Sequence, residues 1–298
     1  MKHRRFYLKR VCFVVENEHY LLPFREVMEE LQNKGIDCVI WRREECIQLQ
    51  NDEAFVWESI EQQVLYVTDN ASVTKKLLAV QAPVLGYLHE GNQAEDFCGV
   101  RYVLEQPQGI EAKYFERVFR RYAGLPWSIL ETERCYVRES TVEDVEHFYK
   151  IYGDVEITRY TEGLFENSVS EKAYIQEYAA NMYAYYEFGI WTVILKETGE
   201  VIGRAGLSVR EGFELPELGY VLGVPWQGQG LAGEVCEQIL QYAYEELGLE
   251  QVQILIQKGN NASFYLAKRL GFIYERSLFL LDKEYLFLVK NYTNLTKM

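Results

Sequence analysis

The sequence predicts an α/β chain in two parts: a small parallel-sheet unit, then an α+β unit with a mixed sheet. Three observations predict it. Short apolar runs alternate with amphipathic stretches through about the first 125 residues, as in repeated strand–helix–strand units. Gly124-Leu125-Pro126-Trp127 then punctuates the chain, and a connecting segment leads to a new pattern at Cys135. Beyond it come a hairpin, a further strand, a glycine-rich turn and a long amphipathic helix. The predicted domains are residues 1–130 and 131–298.

In the first part, Val11–Val15 reads as a strand. Leu21–Gln32 has Leu22, Val27, Met28 and Leu31 near helical spacing, with Lys34-Gly35 as the stop. Ile36–Trp41 is a strand, Asp52–Ile60 a short helix, Val64–Thr68 a strand and Ala71–Val80 a helix. Val84–Leu88, after Pro83, and Val100–Leu104 are strands, and Glu111–Tyr122 is a helix with Phe115, Val118 and Phe119 on one face. Asp69 falls at the carboxyl end of a strand, where open α/β sheets bind ligands, and is expected to cap the following helix. The order from Val64 to Leu104 resembles the later half of a haloacid-dehalogenase-type Rossmann domain. That family's Asp-x-Asp nucleophile pair is missing: Val11-Cys-Phe-Val-Val-Glu-Asn-Glu18 contains no Asp, so no phosphatase activity is expected.

In the second part, Cys135–Glu139 is a strand. Thr141 with Asp144 three residues on forms a capping box for a helix to about Tyr152. Ser168–Tyr183 is a helix. Ile190–Lys196 and Val201–Ser208 flank Glu-Thr-Gly-Glu as a hairpin. Glu217–Val224 is a strand. Leu231–Leu247 is a helix whose Ala232, Val235, Cys236, Ile239, Leu240, Ala243 and Leu247 follow period 3.6. Val252–Gln257 is a strand, Asn261–Leu270 a helix, and Phe272–Leu280 with Tyr285–Lys290 a closing pair.

The junction Leu222-Gly-Val-Pro-Trp-Gln-Gly-Gln-Gly-Leu-Ala-Gly233 carries the chemistry. A strand ends and a glycine-rich turn opens a long helix, whose first amide N–H groups lack intrahelical partners and form the positive end of the helix dipole. Gly228 and Gly230 would let a pyrophosphate approach the backbone. Gly228–Gly233 also satisfies Gly-x-Gly-x-x-Gly, but the acidic residue of a dinucleotide site is not clearly placed.

Gln227-Gly-Gln-Gly230-Leu-Ala232 resembles the acyl-CoA signature of the GCN5-related N-acetyltransferases (GNAT). Glu217-Leu-Gly-Tyr-Val-Leu222 resembles their central strand, and Asn260-Asn-Ala-Ser263 with Lys268-Arg-Leu-Gly-Phe272 their distal helix. The resemblance covers about 135–290 in order and spacing and is similar to the branch with the ribosomal-protein alanine acetyltransferases. It implies the GNAT acyl-CoA N-acyltransferase fold, with a central strand that splits from its neighbour. Leu222, Gly223 and Val224 would pair with pantetheine. Gln227, Gly228, Gln229, Gly230, Leu231 and Ala232 would hold the pyrophosphate through main-chain N–H groups. Asn260 and Ser263 would face the cofactor, with simple helix capping by Asn260 or Asn261 as the alternative. The implied reaction moves the acetyl group of acetyl-CoA to a primary amine, either small or a protein N-terminus.

An attacking amine must lose a proton. Glu217, on one face with Gly219 and Val221 by strand alternation, is the candidate base, and an exposed edge carboxylate is the alternative. Many relatives place a Tyr where this chain has Ala267, so the general acid is left to water. Tyr160–Phe165, Tyr174–Tyr186 and Phe213–Leu215 are expected to border the acceptor, with core packing for most of the aromatics.

Composition narrows the rest. The chain has 298 residues, 48% hydrophobic and 26% charged, enough for ordinary cores. Acidic residues outnumber basic ones 45 to 31, a formal charge of −14, which argues against a nucleic-acid partner. With 16 basic and 19 acidic residues, 1–130 carries −3, leaving −11 on 131–298, where it would attract a cationic amine. No apolar run reaches the ~18 residues of a membrane span. The basic N-terminus lacks a signal-cleavage pattern, so a cytoplasmic protein with no membrane partner is expected. Cys12, Cys38, Cys46, Cys98, Cys135 and Cys236 form neither a zinc pattern nor a disulfide framework, and no metal is expected. Two other functions fit the residues: a non-catalytic acyl-CoA sensor regulated by the first domain, and a dinucleotide-binding enzyme built on Gly228–Gly233. The sequence leaves the oligomeric state open.

Overall fold

The computed structural model describes residues 7–41 and 63–292, so the helix expected at Asp52–Ile60, and Cys46, lie outside the described residues. The chain forms two compact units, Met1–Trp127 and Ser128–Met298.

The first unit holds five strands: β1 (Arg10–Val14), β2 (Asp37–Trp41), β3 (Val64–Thr68), β4 (Val84–Tyr87) and β5 (Tyr102–Leu104). All pairings are parallel, in the order β2-β1-β3-β4-β5. The continuous apolar runs of β3 and β4 are wholly buried, as parallel strands covered on both faces require. Cys12, Val14 and Tyr66 pack with Val73 and Leu77 of helix α2 (Ala71–Ala79). The alternate residue Phe13 packs against Phe24 and against Phe115 of helix α3 (Ala112–Tyr122). A parallel sheet is thus present. It does not by itself establish a Rossmann-like domain, and the dehalogenase resemblance gains no support from it.

Two expectations change here. Leu21–Gln32 is not one helix. Pro23 lacks the N–H that an α-ladder needs, so Glu18–Phe24 form a 3-10 turn and α1 starts at Arg25, running to Asn33. Asp69 does not cap α2; the Asn70 side chain does, accepting from Val73 N–H at 3.0 Å. Asp69 instead accepts from Glu16 N–H at 3.1 Å and pairs with His89 Nε2 at 3.2 Å.

The second unit is built on eight strands in the order β12-β13-β11-β10-β9-β8-β7-β6. They are β6 (Ser128–Glu131), β7 (Cys135–Arg138), β8 (Ile190–Leu195), β9 (Val201–Ser208), β10 (Glu217–Leu222), β11 (Gln251–Gln257), β12 (Ile273–Leu280) and β13 (Lys283–Asn291). β6 arises in the segment expected to be only a connection, as an edge strand on β7. Every pairing is antiparallel except β10 with β11.

The capping box at Thr141 is present, but it opens a 3-10 turn, Val142–Asp144, before helix α4 (Val145–Tyr152). Short α5 (Val155–Thr158) and long α6 (Ser168–Tyr186) follow, with α6 ending at Glu187 in the left-handed region, φ 60°. Helix α7 (Leu231–Glu245) lays Val235, Cys236, Ile239, Leu240 and Ala243 on the sheet, where Trp191, Leu207 and Leu218 meet them. Helix α8 (Asn261–Arg269) packs by way of Ala267 and is followed by Leu270 and Phe272. Phe148 of α4 and Ile175 of α6 form a separate buried cluster. Among the described residues no helix is long and apolar enough to cross a membrane, and no metal-binding cluster forms.

Candidate active site

The central sheet opens between β10 and β11. β10 pairs with β9 over all six residues, but with β11 at one position only, Glu217 with Gln253. Gln253 N–H donates to Pro216 O, while Gly223 N–H donates to Ile202 O beside β9. Strand alternation therefore turns the main-chain groups of Tyr220 and Leu222 toward the opening. Gly223 turns its N–H away from it, contrary to the pantetheine role expected of that residue. A side chain at Gly223 would instead collide with the Trp226 ring.

The turn after β10 is a 3-10 segment, Val224–Trp226. Gln227 N–H already donates to Val224 O, so it is not one of the available amides. Its side chain reaches back to Leu222 O at 2.8 Å, and that of Gln229 to Pro225 O at 2.8 Å. The two glutamines thus brace the turn. Gly228 and Gly230 have φ of 72° and 81°, a region that favours glycine, and the space beside Gly228 is open. The first ladder bond of α7 is Glu234 N–H to Gly230 O, which leaves the Leu231 and Ala232 amides at an unpaired helix start. An extended thioester with a pyrophosphate fits this donor set: an open strand edge, then amides at the positive end of a helix.

Two arginines at this turn escape a sequence reading. Arg134 donates through its N–H and Nε to Glu234 and through NH1 to Gln229 O at 3.0 Å, 95 residues away. Burial opposes ionisation of Glu234, but the Thr132 hydroxyl and Arg134 outweigh it and hold the carboxyl below its ordinary range. The pair keeps an uncompensated anion out of the first turn. Arg269 places its guanidinium over Gly233, where any side chain would displace it.

On the neighbouring helix, Asn260 caps α8 by accepting from Ser263 N–H at 3.2 Å. The Ser263 side chain lies near the Tyr220 hydroxyl, and burial pushes Tyr220 up to about 12, so the phenol keeps its proton.

On the other face of β10 lies a cleft of about 1410 Å³. Gly219 and Val221 form its floor. Glu162–Phe165, Tyr174, Tyr178 and Phe213 border it, within the segments the sequence marked for the acceptor. The hairpin tip Phe279–Leu281 adds a wall that the sequence did not indicate. Tyr183, Phe188 and Trp191 are core residues. Glu217 is not an exposed edge carboxylate: it is 6% exposed and clamped by Arg210, with Nε to Oε2 at 2.7 Å and NH2 to Oε1 at 3.0 Å. Gln253 Nε2 approaches Oε2 at 3.4 Å. The clamp in turn raises Arg210 above its usual value.

These features give the protein an open strand edge that runs into an unpaired helix start, beside a second cleft. Residues 134–273 match the Acetyltransferase (GNAT) domain family. An uncharacterized N-acetyltransferase of Bacillus subtilis, YoaA, is 31% identical over 148 residues, covering 48% of this chain and 82% of the relative. The uncharacterized N-acetyltransferase p20 of Bacillus licheniformis is 27% identical over 144 residues, covering 48% and 81%. Among solved structures, an acetyltransferase of Agrobacterium tumefaciens superposes with a TM-score of 0.48 at 25% identity, covering 54% of this chain and 93% of its own. The chain belongs to the GNAT acetyltransferase family, whose enzymes use acetyl-CoA.

Proposed function

We propose that the second unit transfers the acetyl group of acetyl-CoA directly to a primary amine, with both substrates bound at once. The observation that carries this reading is the single-residue contact between β10 and β11. It leaves a strand edge for the pantetheine arm, immediately before a helix start suited to pyrophosphate. In this reading the main-chain N–H groups of Leu222 and Val224 hold the arm, their carbonyls already accepting from Gln227. The amides of Gly228, Gln229, Gly230, Leu231 and Ala232 hold the phosphates, aided by Arg269. Gln227 and Asn260 shape the site as brace and cap, and Ser263 faces the ligand.

In the transfer, the amine nitrogen bonds to the thioester carbon, the carbon–sulfur bond breaks, the amine loses a proton and the thiolate gains one. Glu217 is the proposed proton acceptor. Its oxygens are occupied by Arg210, so the proton reaches it when water enters the clamp or one of those bonds opens. Tyr220 is the proposed donor to sulfur. Its hydroxyl lies near Ser263, one helical turn before Ala267, and so stands near the place where relatives carry a Tyr.

The test is thiol release from acetyl-CoA with a panel of primary amines, with product mass read in parallel. Amine-dependent thiol release and a product heavier by one acetyl group are expected. Tyr220→Phe should lower kcat about tenfold or more, within the usual range for losing a general acid. Ala267 favours a second reading, an acyl-CoA sensor; tight acetyl-CoA binding without turnover on any amine would establish that instead.

A further inference from the structure

The acceptor cleft contains a buried cation that no carboxylate neutralises among the described residues. Arg204 stands in β9 opposite Val221 and is 9% exposed. Its Nε has no hydrogen-bond partner. The guanidinium lies over the Phe148 ring at 4.7 Å, and the Tyr152 hydroxyl sits against it. The other arginines of this face are already paired: Arg138 with Asp144 at 2.7 Å, and Arg210 with Glu217. A guanidinium taken out of water without a counter-ion is costly, and its planar fork matches a carboxylate.

The same cleft holds a buried anion. Glu171 is 2% exposed, accepts from Phe165 N–H at 3.1 Å, and makes no ion pair with Arg204. Glu162, Glu177 and Glu211 line the cleft as well. These acids favour an ammonium and disfavour a ligand group with two negative charges. A polyamine would set one of its cations against Arg204.

We propose that the acceptor is a zwitterion, an amine that also carries one carboxylate, as in an amino acid or a short peptide. Its carboxylate pairs with Arg204 while the acidic side of the cleft receives the ammonium. This rests on the acetyl-transfer reading and names the substrate class of that site. It also corrects what the −11 charge suggests alone: the acidic half attracts amines, but the buried Arg204 in its cleft selects an anion.

The experiment compares kcat/KM of the full chain for free amino acids, the corresponding amino-acid amides, and spermidine. The amide amines are the less basic and more often neutral at pH 7, so simple reactivity favours the amides. The acids are expected to win by about 10- to 100-fold, mainly through KM, as befits a charged hydrogen-bonded pair. Arg204→Gln should erase the difference between acid and amide, and Arg204→Lys should restore part of it. Circular dichroism checks that both variants fold; if Arg204→Gln does not, the wild-type comparison and Arg204→Lys decide. Equal rates for acids and amides, a preference for spermidine, or a preference for acids that survives Arg204→Gln overturns the proposal while leaving acetyl transfer intact. Acetyl-CoA binding with no product from any amine overturns both.

Discussion

The ends of the two sheets make a useful comparison. At the carboxyl ends of β1, β3 and β4, where open parallel sheets bind ligands, the first unit has filled the space with its own side chains. Asp69 holds Glu16 N–H and His89. The His89 ring stacks on Tyr20 with centroids 3.6 Å apart, and its Nδ1 accepts from Gly91 N–H. Asn92 donates to Asp69 O and Tyr87 O. At the open end of β10 the second unit does the reverse, leaving a strand edge and a helix start unpaired and a buried arginine without a carboxylate partner among the described residues. Hydrogen bonds completed within the fold add stability, and those left open are the ones a substrate can make.

Four substitutions probe this difference, from the largest expected effect to the smallest. Arg138 and Asp144 are a completed pair in the second unit, joined by two bonds of 2.7 Å, and Thr192 donates to the same carboxylate at 2.9 Å. Arg138→Ala strands a buried carboxylate and should cost about 3–5 kcal/mol in urea unfolding. A loss under 1 kcal/mol would mean that water reaches Asp144.

Gly230→Asp attacks the open part. It strains a left-handed residue and puts a carboxylate where phosphate should sit. Acetyl-CoA affinity in calorimetry should fall about 100-fold, or ~2.7 kcal/mol. Unaltered affinity would remove the turn from the binding site.

The third contrast is in pH. Burial would raise Asp144, but Arg138, Thr141 N–H and Thr192 hold it below its ordinary value. Its stabilisation is therefore present above the unfolded carboxyl value of about 3.9 and lost as pH falls through the lowered folded value. Asp69 is the opposite case. Burial raises it, and its bonds with His89 and Glu16 N–H only partly offset that. Its stabilisation is present at low pH and lost as pH rises through the raised value. Asp69→Asn cannot ionise, so its melting temperature relative to wild type should climb as pH rises across that window. A constant difference would show that Asp69 titrates normally.

The smallest effect belongs to Asn260→Ala, which removes a cap and should cost about 1 kcal/mol in denaturant unfolding. If acetyl-CoA affinity falls with no loss of stability, Asn260 is a ligand contact rather than a cap.

What the sequence reveals about this site follows how local each feature is. The turn Gln227–Ala232 is visible because its strand, glycines and helix are contiguous. Glu217 is placed on the acceptor face by strand alternation alone. Its clamp is harder to read, because Arg210 comes from the loop before the strand and nothing in the spacing aims it there. Arg134 and Glu234 lie 100 residues apart and meet only when β7 packs beside α7. Arg204 did leave a signal, a charge inside the apolar run Val201–Leu207, which alternation alone would have turned to the cleft. In the first unit, one residue separates the expected cap, Asp69, from the real one, Asn70, because helix starts depend on backbone dihedrals that composition does not fix.

The most direct test of the central claim is backbone amide exchange with and without acetyl-CoA. If the ligand lies in the opening of the second sheet, protection should rise at 220–224 and 228–233, while 64–92 of the first unit should not change. Protection gained at 11–16 or 69–92, with 220–233 unaffected, would contradict it.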